Sequence, residues 1–317
     1  MDDFIIRNIS KKKGNQYYHK YYNKDGTEII NQKYINKVNS GIYIPPAYNN
    51  VKINLNKKSK VLAIGYDNKR RAQYIYSKTH KEKQSDKKFN RMIEFGKHFR
   101  KINKKINEDL SGTRDSKEKQ ISIILKLIME CHFRVGNDIY SRENKSYGTS
   151  TLQGKHIRIK NKGEVIVDFN GKKNVRNVCS IRNKQLIKTL KNKKRTIGRE
   201  DKIFSYRRGD RYYNIRSSDV NKYLKQFGKF TTKDFRTWGA NIELIKQLLS
   251  PRDNTLMNCI NNVSQKLHNT PAVCKSNYLD PELIKFYKYD EDTFKEYFEF
   301  KTNNTLYNNY IHFLEDL

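Results

Sequence analysis

The sequence predicts an α+β protein with a small β-rich N-terminal domain followed by a larger, mainly α-helical domain that carries one β-hairpin. Short runs rich in β-branched and aromatic residues occur up to about residue 80, and apolar residues recur at helical spacing beyond it. A charged stretch that is poor in apolar residues, SKTHKEKQSDKK (77–88), separates the two regions and is predicted to be a linker. We therefore expect domains at residues 1–82 and 83–317.

Four strands are predicted in the N-terminal region, each bounded by turns rich in Pro, Asn or Lys. They are GIYIPPAY (41–48), VKINL (51–55), KVLAIGYD (60–67) and AQYIYS (72–77). The rest of the first 80 residues is assigned only to the same β-rich region.

Helices dominate the predicted C-terminal domain. Residues 116–133 begin with a Ser start signal and continue as a densely apolar run, which predicts a buried helix. Further helices are predicted at 87–110, 183–191, 217–228 and 238–249. A small β-hairpin is expected at 156–178, where HIRIK, EVIVDF and NVRNV are joined by the turns NKG and NGKK.

Charge is the most informative part of the composition. The chain has 66 Lys and Arg against 33 Asp and Glu, a net charge of +33. Abundant Lys, Asn, Ile and Tyr are typical of an A+T-rich genome, but a compositional drift of that kind does not account for a twofold excess of one sign. Such a field repels itself unless a polyanion neutralises it, so nucleic acid is the leading partner.

Several classes of protein are not indicated. No apolar run approaches the roughly 18 residues of a membrane span, and the N-terminus lacks the apolar core of a signal peptide. The four cysteines form no CxxC pair, so neither a zinc site nor a disulfide is expected, and a reducing compartment fits best. Phosphate-binding loops and a carboxylate cluster for paired magnesium ions are also missing.

Chemistry on DNA without a metal requires a nucleophile, guanidinium groups for the phosphate oxygens, and a proton donor for the leaving oxygen. Four segments supply such groups. Arg134 follows an apolar helix, Lys172 lies at the hairpin tip, and Lys233 and Arg236 lie about one turn apart on a helix with a Thr cap. Tyr278 lies in a segment that also offers other nucleophiles.

Together these segments resemble the catalytic blocks of type IB DNA topoisomerases of the poxvirus and bacterial kind. The blocks are FRVGNDIYSRENKSYGTSTLQGKHI, VDFNGKKNV, KDFRTWGAN and LHNTPAVCKSNYLDP, in the order of the family, while IPPAY and AIGYDNKRRAQYIYS resemble its small clamp domain. The resemblance covers most of residues 40–285. It implies a C-shaped clamp around duplex DNA, and a catalytic site of two arginines, a lysine, a His or Asn, and a tyrosine.

Carried onto this chain, the resemblance implies specific roles. The catalytic residues are Arg134, Lys172, Arg236, Asn269 and Tyr278, with Lys233 as a helper of Lys172. In the poxvirus form a His precedes the TP dipeptide, whereas the bacterial form is similar to NTP, as here. Asn269 is therefore assigned to that position, because an amide N–H also donates to a phosphate oxygen. The preceding His268 is given no catalytic role.

The nucleophile is assigned to Tyr278 among the alternatives in its segment. Ser276 has no evident base, and Cys274 lies among apolar neighbours, which favours packing. An ordinary tyrosine has a pKa of about 10. Arg134 and Arg236 are expected to favour its phenolate form.

Contacts with DNA are expected in the segment NKRRAQYIYS. The predicted DNA-binding residues are Arg70, Arg71, Gln73, Tyr74 and Tyr76, together with Tyr140 in the first catalytic block. Gln pairs with adenine and Arg with guanine in the major groove, so the preference for a cleavage site is expected here. A strand whose tyrosines only pack is the alternative.

The resemblance implies a monomer that acts on duplex DNA without a cofactor, a metal or a membrane. We expect it inside the cell where DNA is replicated or transcribed, in a viral factory or virion if the source is a virus. Three alternatives remain: a tyrosine recombinase, which usually carries His-x-x-Arg where this chain has KDFR, a catalytically silent DNA-binding protein, and a basic RNA-binding module.

Overall fold

The computed structural model describes residues 3–250 and 255–317 and divides into two compact units, Met1–Lys88 and Phe89–Leu317. In the described residues the first unit is a β-sheet with one short helix and the second is mainly helical. This confirms the predicted α+β class with a small β-rich region before a larger helical one. The predicted domain boundary at residue 82 stays a prediction.

The first unit is built on a single antiparallel sheet of six strands. Its elements are β1 (Phe4–Lys13), β2 (Gln16–Tyr22), β3 (Glu28–Ile29), α1 (Gln32–Asn39), β4 (Asn49–Asn54), β5 (Val61–Tyr66) and β6 (Ala72–Tyr76). The strand order is β3-β2-β1-β4-β5-β6. Three of the four predicted strands are confirmed as β4, β5 and β6. The strands before residue 30 and helix α1 had no individual prediction.

The predicted strand at 41–48 is wrong, because this segment forms a loop. Two successive prolines, Pro45 and Pro46, have no N–H to offer to a neighbouring strand. The carbonyls of the loop are instead satisfied by the buried side chain of Arg7, which donates to Pro45 O at 2.8 Å and to Tyr48 O at 3.2 Å. The loop is thereby fixed to strand β1 without joining the sheet.

The second unit contains most of the helices. They are α2 (Lys78–Ser111), α3 (Lys117–Cys131), α4 (Asp138–Asn144), α5 (Lys184–Thr196), α6 (Ser217–Leu224), α7 (Thr232–Leu248), α8 (Leu256–Lys266), α9 (Pro271–Asn277), α10 (Pro281–Tyr289), α11 (Glu291–Phe298) and α12 (Asn303–Glu315). The strands are β7 (Ile157–Ile159), β8 (Val165–Asn170), β9 (Arg176–Ser180), β10 (Ser205–Arg208) and β11 (Arg211–Asn214). The predicted helices at 87–110, 116–133, 183–191, 217–228 and 238–249 are confirmed within a few residues.

The predicted linker at 77–88 is wrong, because these residues form the first turns of helix α2. The segment lacks apolar residues, but its charges are compatible with an exposed helix, and Lys78 lies 3.8 Å from Glu82 one turn later. The buried face of α2 begins only at Phe89 and continues through Met92 and Phe95. The charged residues that precede Phe89 therefore form an exposed stretch of helix and not a linker.

Helix α3 begins as its sequence predicts. Ser116 is the N-cap, and its Oγ accepts a hydrogen bond from the Lys119 N–H at 3.1 Å. At the other end His132 takes the left-handed conformation, with φ at 52°, and turns the chain out of the helix. The helix is buried along most of its length, so its end is a fixed point from which the next residues extend.

The predicted hairpin at 156–178 is part of a three-stranded antiparallel sheet in the order β7-β8-β9. The turn between β8 and β9 carries Lys172, as expected. One prediction about this region is wrong: a disulfide joins Cys131, at the end of α3, to Cys179 in β9, with their Cα atoms 5.8 Å apart. The two cysteines are 48 residues apart in sequence, and only the packing of β9 beside the end of α3 reveals the pair. The expectation of a reducing compartment stays a prediction.

None of the helices within residues 3–250 and 255–317 is both long and apolar enough to cross a bilayer.

Gly96 offers a test of the packing between α2 and α7. A Cβ added at Gly96 would lie 2.7 Å from Trp238 Cη2 and 2.7 Å from Ile311 Cγ1. Alanine ordinarily stabilises a helix relative to glycine. Here we expect Gly96→Ala to lower the free energy of unfolding by about 1–3 kcal/mol because the site is already filled.

Denaturant unfolding measures this difference, with Asn90→Ala at an exposed position of the same helix as the control. A Gly96→Ala protein as stable as the Asn90→Ala protein would contradict the packing described here.

Candidate active site

Arg236 is the most deeply buried of the predicted site residues that carry a formal charge. It lies on the inward face of α7 and is only 3% exposed. The start of α7 is fixed by Asp234, whose carboxylate accepts from the Thr231 N–H at 2.8 Å and pairs with Arg91 at 3.1 Å. Arg236 Nη2 donates to Leu267 O at 3.1 Å. Burial lowers the pKa of this guanidinium, although the nearby Tyr278 opposes the shift.

Tyr278 lies directly against this guanidinium. It follows the last residue of α9, is 7% exposed, and its ring centroid is 5.0 Å from Arg236 Cζ. Its backbone N–H donates to Cys274 O at 2.9 Å. The short helix, which starts with a proline and ends just before the tyrosine, therefore places the phenol ring against the Arg236 guanidinium.

The charges around Tyr278 change its acidity. Burial by itself raises the pKa of the phenol, but the positive charges of Arg236, Arg134 and Lys233 together outweigh burial and leave the pKa below its ordinary value of 10. This lowering of the Tyr278 pKa agrees with the expectation from the sequence. A lower pKa increases the fraction of phenolate, the form in which tyrosine is a nucleophile.

Arg134 reaches the same site from the chain that leaves α3. Its Nη2 donates to Asn269 Oδ1 at 2.6 Å, which joins two predicted site residues that are 135 positions apart. The backbone of Arg134 is also fixed, because its carbonyl accepts from the Thr149 N–H at 2.8 Å.

Two glycines allow this arrangement of the Arg134 segment. Gly136 has a φ of 94°, and a Cβ on Gly148 would lie 2.4 Å from Gly136 Cα. The two chain segments therefore cross at a distance that no side chain permits. This close crossing brings the loop that contains Thr149 against the backbone of Arg134.

Three buried hydrogen-bond donors at this site have no partner among residues 3–250 and 255–317. They are Arg236 Nε, Arg236 Nη1 and Asn269 Nδ2. Buried donors are ordinarily satisfied, and an unpaired one is costly. Their joint occurrence beside Tyr278 is suited to an anion with several acceptor oxygens, such as a phosphodiester.

The two lysines of the predicted site are exposed. Lys172 belongs to the turn Lys172–Asn174, and Lys233 lies in the first turn of α7. Lys233 acts on Tyr278 through its charge. The side chain of Lys172 makes no hydrogen bond or ion pair in the part of the chain that the structure describes, so the structure does not join it to the other four predicted residues.

His268 is directed away from this group of donors. Its ring stacks on Phe133 with centroids 5.3 Å apart. Burial lowers its pKa to about 4, and the charges of Arg236 and Arg134 act in the same direction. His268 is therefore neutral near pH 7 and packs against Phe133, while Asn269 turns toward Arg134.

The other nucleophiles in the segment have ordinary surroundings. Cys274 is fully buried, which raises the pKa of its thiol to about 11. Ser276 is exposed, and its hydroxyl donates weakly to Val273 O at 3.4 Å. Neither has a base beside it. Within the described residues, no three His, Cys, Asp or Glu side chains lie together as a metal site would require.

The predicted DNA-reading residues lie mainly in the first unit. Arg71 and Gln73 both donate to Asp67 Oδ2, at 2.6 and 3.0 Å, and the bonds from Arg71 hold the pKa of Asp67 to about 2. Tyr74 and Tyr76 share one face of β6, with ring centroids 6.3 Å apart. Gln73 alternates with them and shares the face of the core-packed Ile75.

The two remaining predicted DNA contacts are exposed. Arg70 has a φ of 57° in the turn that precedes β6, and Tyr140 lies on α4 with 52% of its surface exposed. The structure does not bring Tyr140 into contact with the predicted catalytic residues.

Comparison with known proteins identifies the family of the chain. Residues 77–296 match the family described as eukaryotic DNA topoisomerase I, catalytic core, and residues 18–67 match the N-terminal domain of bacterial DNA topoisomerase IB. The chain belongs to the type IB DNA topoisomerases. It is 32% identical over 295 residues to DNA topoisomerase 1B of Acanthamoeba polyphaga mimivirus, covering 87% of each chain. It is 24% identical over 241 residues to DNA topoisomerase 1B of Vaccinia virus (strain Copenhagen), covering 73% of each.

Asn241 was not identified from the sequence, although it lies in the quoted block KDFRTWGAN of this topoisomerase. Its fully buried amide donates to Tyr278 O at 3.0 Å and to Thr237 O at 2.9 Å, and it accepts from the Asp280 N–H at 2.8 Å. It therefore holds the backbone on both sides of Leu279, next to the nucleophile. The only signal in the sequence is an amide five residues after Arg236, on a predicted helix.

The pair His268 and Asn269 gives a sharp test of the site. If Asn269 Nδ2 donates to a phosphate oxygen, Asn269→Ala should slow single-turnover cleavage of a suicide duplex about 10²-fold, as for single oxyanion donors. Asn269→His should retain substantial activity because imidazole also offers an N–H. His268→Ala should affect cleavage far less, because its ring packs on Phe133.

A severe defect in His268→Ala combined with a mild one in Asn269→Ala would show that the two roles are exchanged. Thermal unfolding of each variant separates a loss of folding from a loss of chemistry.

Proposed function

We propose that this type IB DNA topoisomerase relaxes supercoiled duplex DNA by cleaving one strand through Tyr278 and resealing it. The observation that carries the proposal is the buried phenol of Tyr278, whose ring centroid lies 5.0 Å from Arg236 Cζ, beside buried donors that have no partner among the residues that the structure describes. A buried guanidinium, an amide and an acidic phenol together form a receptor for a phosphodiester that also contains a nucleophile.

In the cleavage step, the Tyr278 oxygen attacks the scissile phosphorus. A bond forms between this oxygen and phosphorus, the bond from phosphorus to the 5′ oxygen breaks, and the products are a 3′-phosphotyrosyl ester and a free 5′-hydroxyl. Arg134, Arg236 and Asn269 donate to the non-bridging oxygens, where charge accumulates in the transition state. Arginine suits this role because its planar fork binds phosphate oxygens in pairs.

The departing 5′ oxygen requires a proton. Lys172 is proposed as the donor, with Lys233 as its helper, since both are exposed cationic groups and the resemblance to the family implies these roles. Resealing reverses these steps. The phosphotyrosyl ester conserves the energy of the broken bond, and side chains supply the neutralising charge, so neither ATP nor a metal ion is needed.

Relaxation follows from swivelling of the cut strand about the intact one while the enzyme holds the duplex. We propose that the first unit and the catalytic unit close around DNA as a C-shaped clamp, and that a monomer suffices. The net charge of +33 supports tight, salt-dependent binding to duplex DNA. We propose that the protein acts wherever DNA is replicated or transcribed, including a viral factory or a virion.

Tyr278→Phe should abolish relaxation of a supercoiled plasmid in EDTA without ATP, because it removes only the attacking oxygen. Duplex binding should remain nearly unchanged, since both guanidiniums are intact. Tyr289→Phe is the matched control, because Tyr289 is 93% exposed and far from any role proposed here. The wild-type protein should relax supercoils of both signs under these conditions.

A requirement of the wild-type protein for magnesium or ATP would contradict this mechanism. Retained activity in Tyr278→Phe with loss in Ser276→Ala would contradict the choice of nucleophile.

We also propose that the cluster around Asp67 influences where the enzyme cleaves. Asp67 orients the amide of Gln73 and the guanidinium of Arg71, two groups able to read bases in the major groove. Gln73→Ala should therefore redistribute cleavage sites on a long duplex while leaving the cleavage rate at a fixed site similar. Sequencing of the trapped cleavage products measures the distribution, and Gln16→Ala, at an exposed position of the same unit, is the control. An unchanged distribution for Gln73→Ala would argue against base reading.

A further inference from the structure

Strands β10 and β11 form a two-stranded ribbon that takes no part in the site described above. Within the described residues they pair only with each other, and all four residues of β11 are exposed. Gly209, with a φ of 60°, opens the two-residue turn between them. An isolated ribbon of two strands is only marginally stable in water. Its exposed position therefore suggests a function other than supporting the core.

The tip of the ribbon concentrates positive charge. Arg208 lies directly opposite Arg211 in the register, and like charges in this arrangement repel. The neighbouring Arg207 is already engaged, since it pairs with Asp210 at 3.1 Å and donates to Gly209 O. No ion pair within residues 3–250 and 255–317 neutralises Arg208 or Arg211. An external anion would relieve this repulsion.

Aromatic side chains accompany the arginines. Tyr212 is 70% exposed, and Tyr213 stacks on Tyr206 with centroids 5.7 Å apart. Exposed tyrosine beside arginine suits a nucleic-acid backbone, where arginine binds phosphate and tyrosine donates to it. The ribbon has no continuous apolar face that would suit a protein partner.

The base of the ribbon is rigid. Phe204 and Ile215 flank it and are fully buried, and the Ile215 N–H donates to Phe204 O at 2.9 Å. Lys117, the first residue of α3, lies 6.0 Å from the Tyr206 ring. Because Arg134 follows the other end of α3, which has 15 residues, the base of the ribbon is about 20 Å from the segment that carries Arg134. The ribbon is therefore anchored well away from the scissile phosphate.

We propose that the β10–β11 ribbon binds the phosphate backbone of duplex DNA through Arg208 and Arg211, outside the active site. This inference rests on the proposed function, because it takes DNA as the substrate. It adds an accessory contact that contributes to affinity but not to the chemistry of cleavage. The contact is independent of sequence, because phosphates carry no base identity.

The test uses the double variant Arg208→Ala/Arg211→Ala in the full chain. Binding to a long linear duplex is measured by fluorescence anisotropy across a range of salt. Loss of two phosphate contacts should reduce the slope of log K against log salt by about 1.8. The ratio of the wild-type affinity to the variant affinity should accordingly fall about tenfold between 50 and 200 mM salt. The loss should be the same on duplexes of unrelated sequence.

The control is Arg114→Ala/Arg195→Ala, which removes two exposed arginines elsewhere in the same unit. An unchanged slope in the ribbon variant, or an equal change in the control, would overturn the proposal. At saturating enzyme the ribbon variant should cleave a short duplex at the wild-type rate. A slower rate there would place the ribbon in the active site and also overturn the proposal. Failure of the wild-type protein to relax plasmid in EDTA would instead overturn the proposed function.

Discussion

The catalytic unit is organised around one costly feature, the burial of the Arg236 guanidinium against Tyr278. Taking a cation out of water costs several kcal/mol unless partners compensate. Arg236 donates to Leu267 O and lies against the phenol ring of Tyr278. Two of its nitrogens have no partner in the described residues. A protein selected only for stability would not retain this arrangement, whereas a protein that binds an anion at this point would.

The surrounding fold supplies the rigidity that this feature requires. Helix α7 is fixed at its start by Asp234 and along its length by Trp238, which packs against Phe95 of α2 and Tyr310 of α12. One turn beyond Arg236, Asn241 fastens the backbone beside Tyr278 to the same helix. Arg236 and Tyr278 are therefore held in a fixed position relative to each other. Their separation is set by a helix and not by a flexible loop, which is what pre-organised catalysis requires.

Much of this arrangement is predictable from the sequence because it depends on local signals. The Ser116 cap, the apolar face of α3 and the order of the quoted blocks all indicate their elements without knowledge of the rest of the chain. The failures depend on contacts that are distant in sequence. The disulfide between Cys131 and Cys179 depends on the packing of β9 beside α3, and the loop at 41–48 depends on Arg7. Nothing in the sequence distinguishes Asn241 from other amides. Its role depends on its hydrogen bonds to the backbone of Tyr278 and Asp280, which only the folded structure shows.

The chain uses its positive charge in two physically different ways. Buried groups such as Arg236 act at short range in a medium of low polarity, where they change the pKa of Tyr278 and have a fixed geometry toward a bound phosphate. Exposed groups outside the site are screened by salt within about 10 Å, so they influence affinity and association rather than the reaction itself. A total of +33 therefore does not measure catalytic power. Few of these charges lie in the active site, and Arg236 is effective there because the fold buries its guanidinium and holds it in place before DNA arrives.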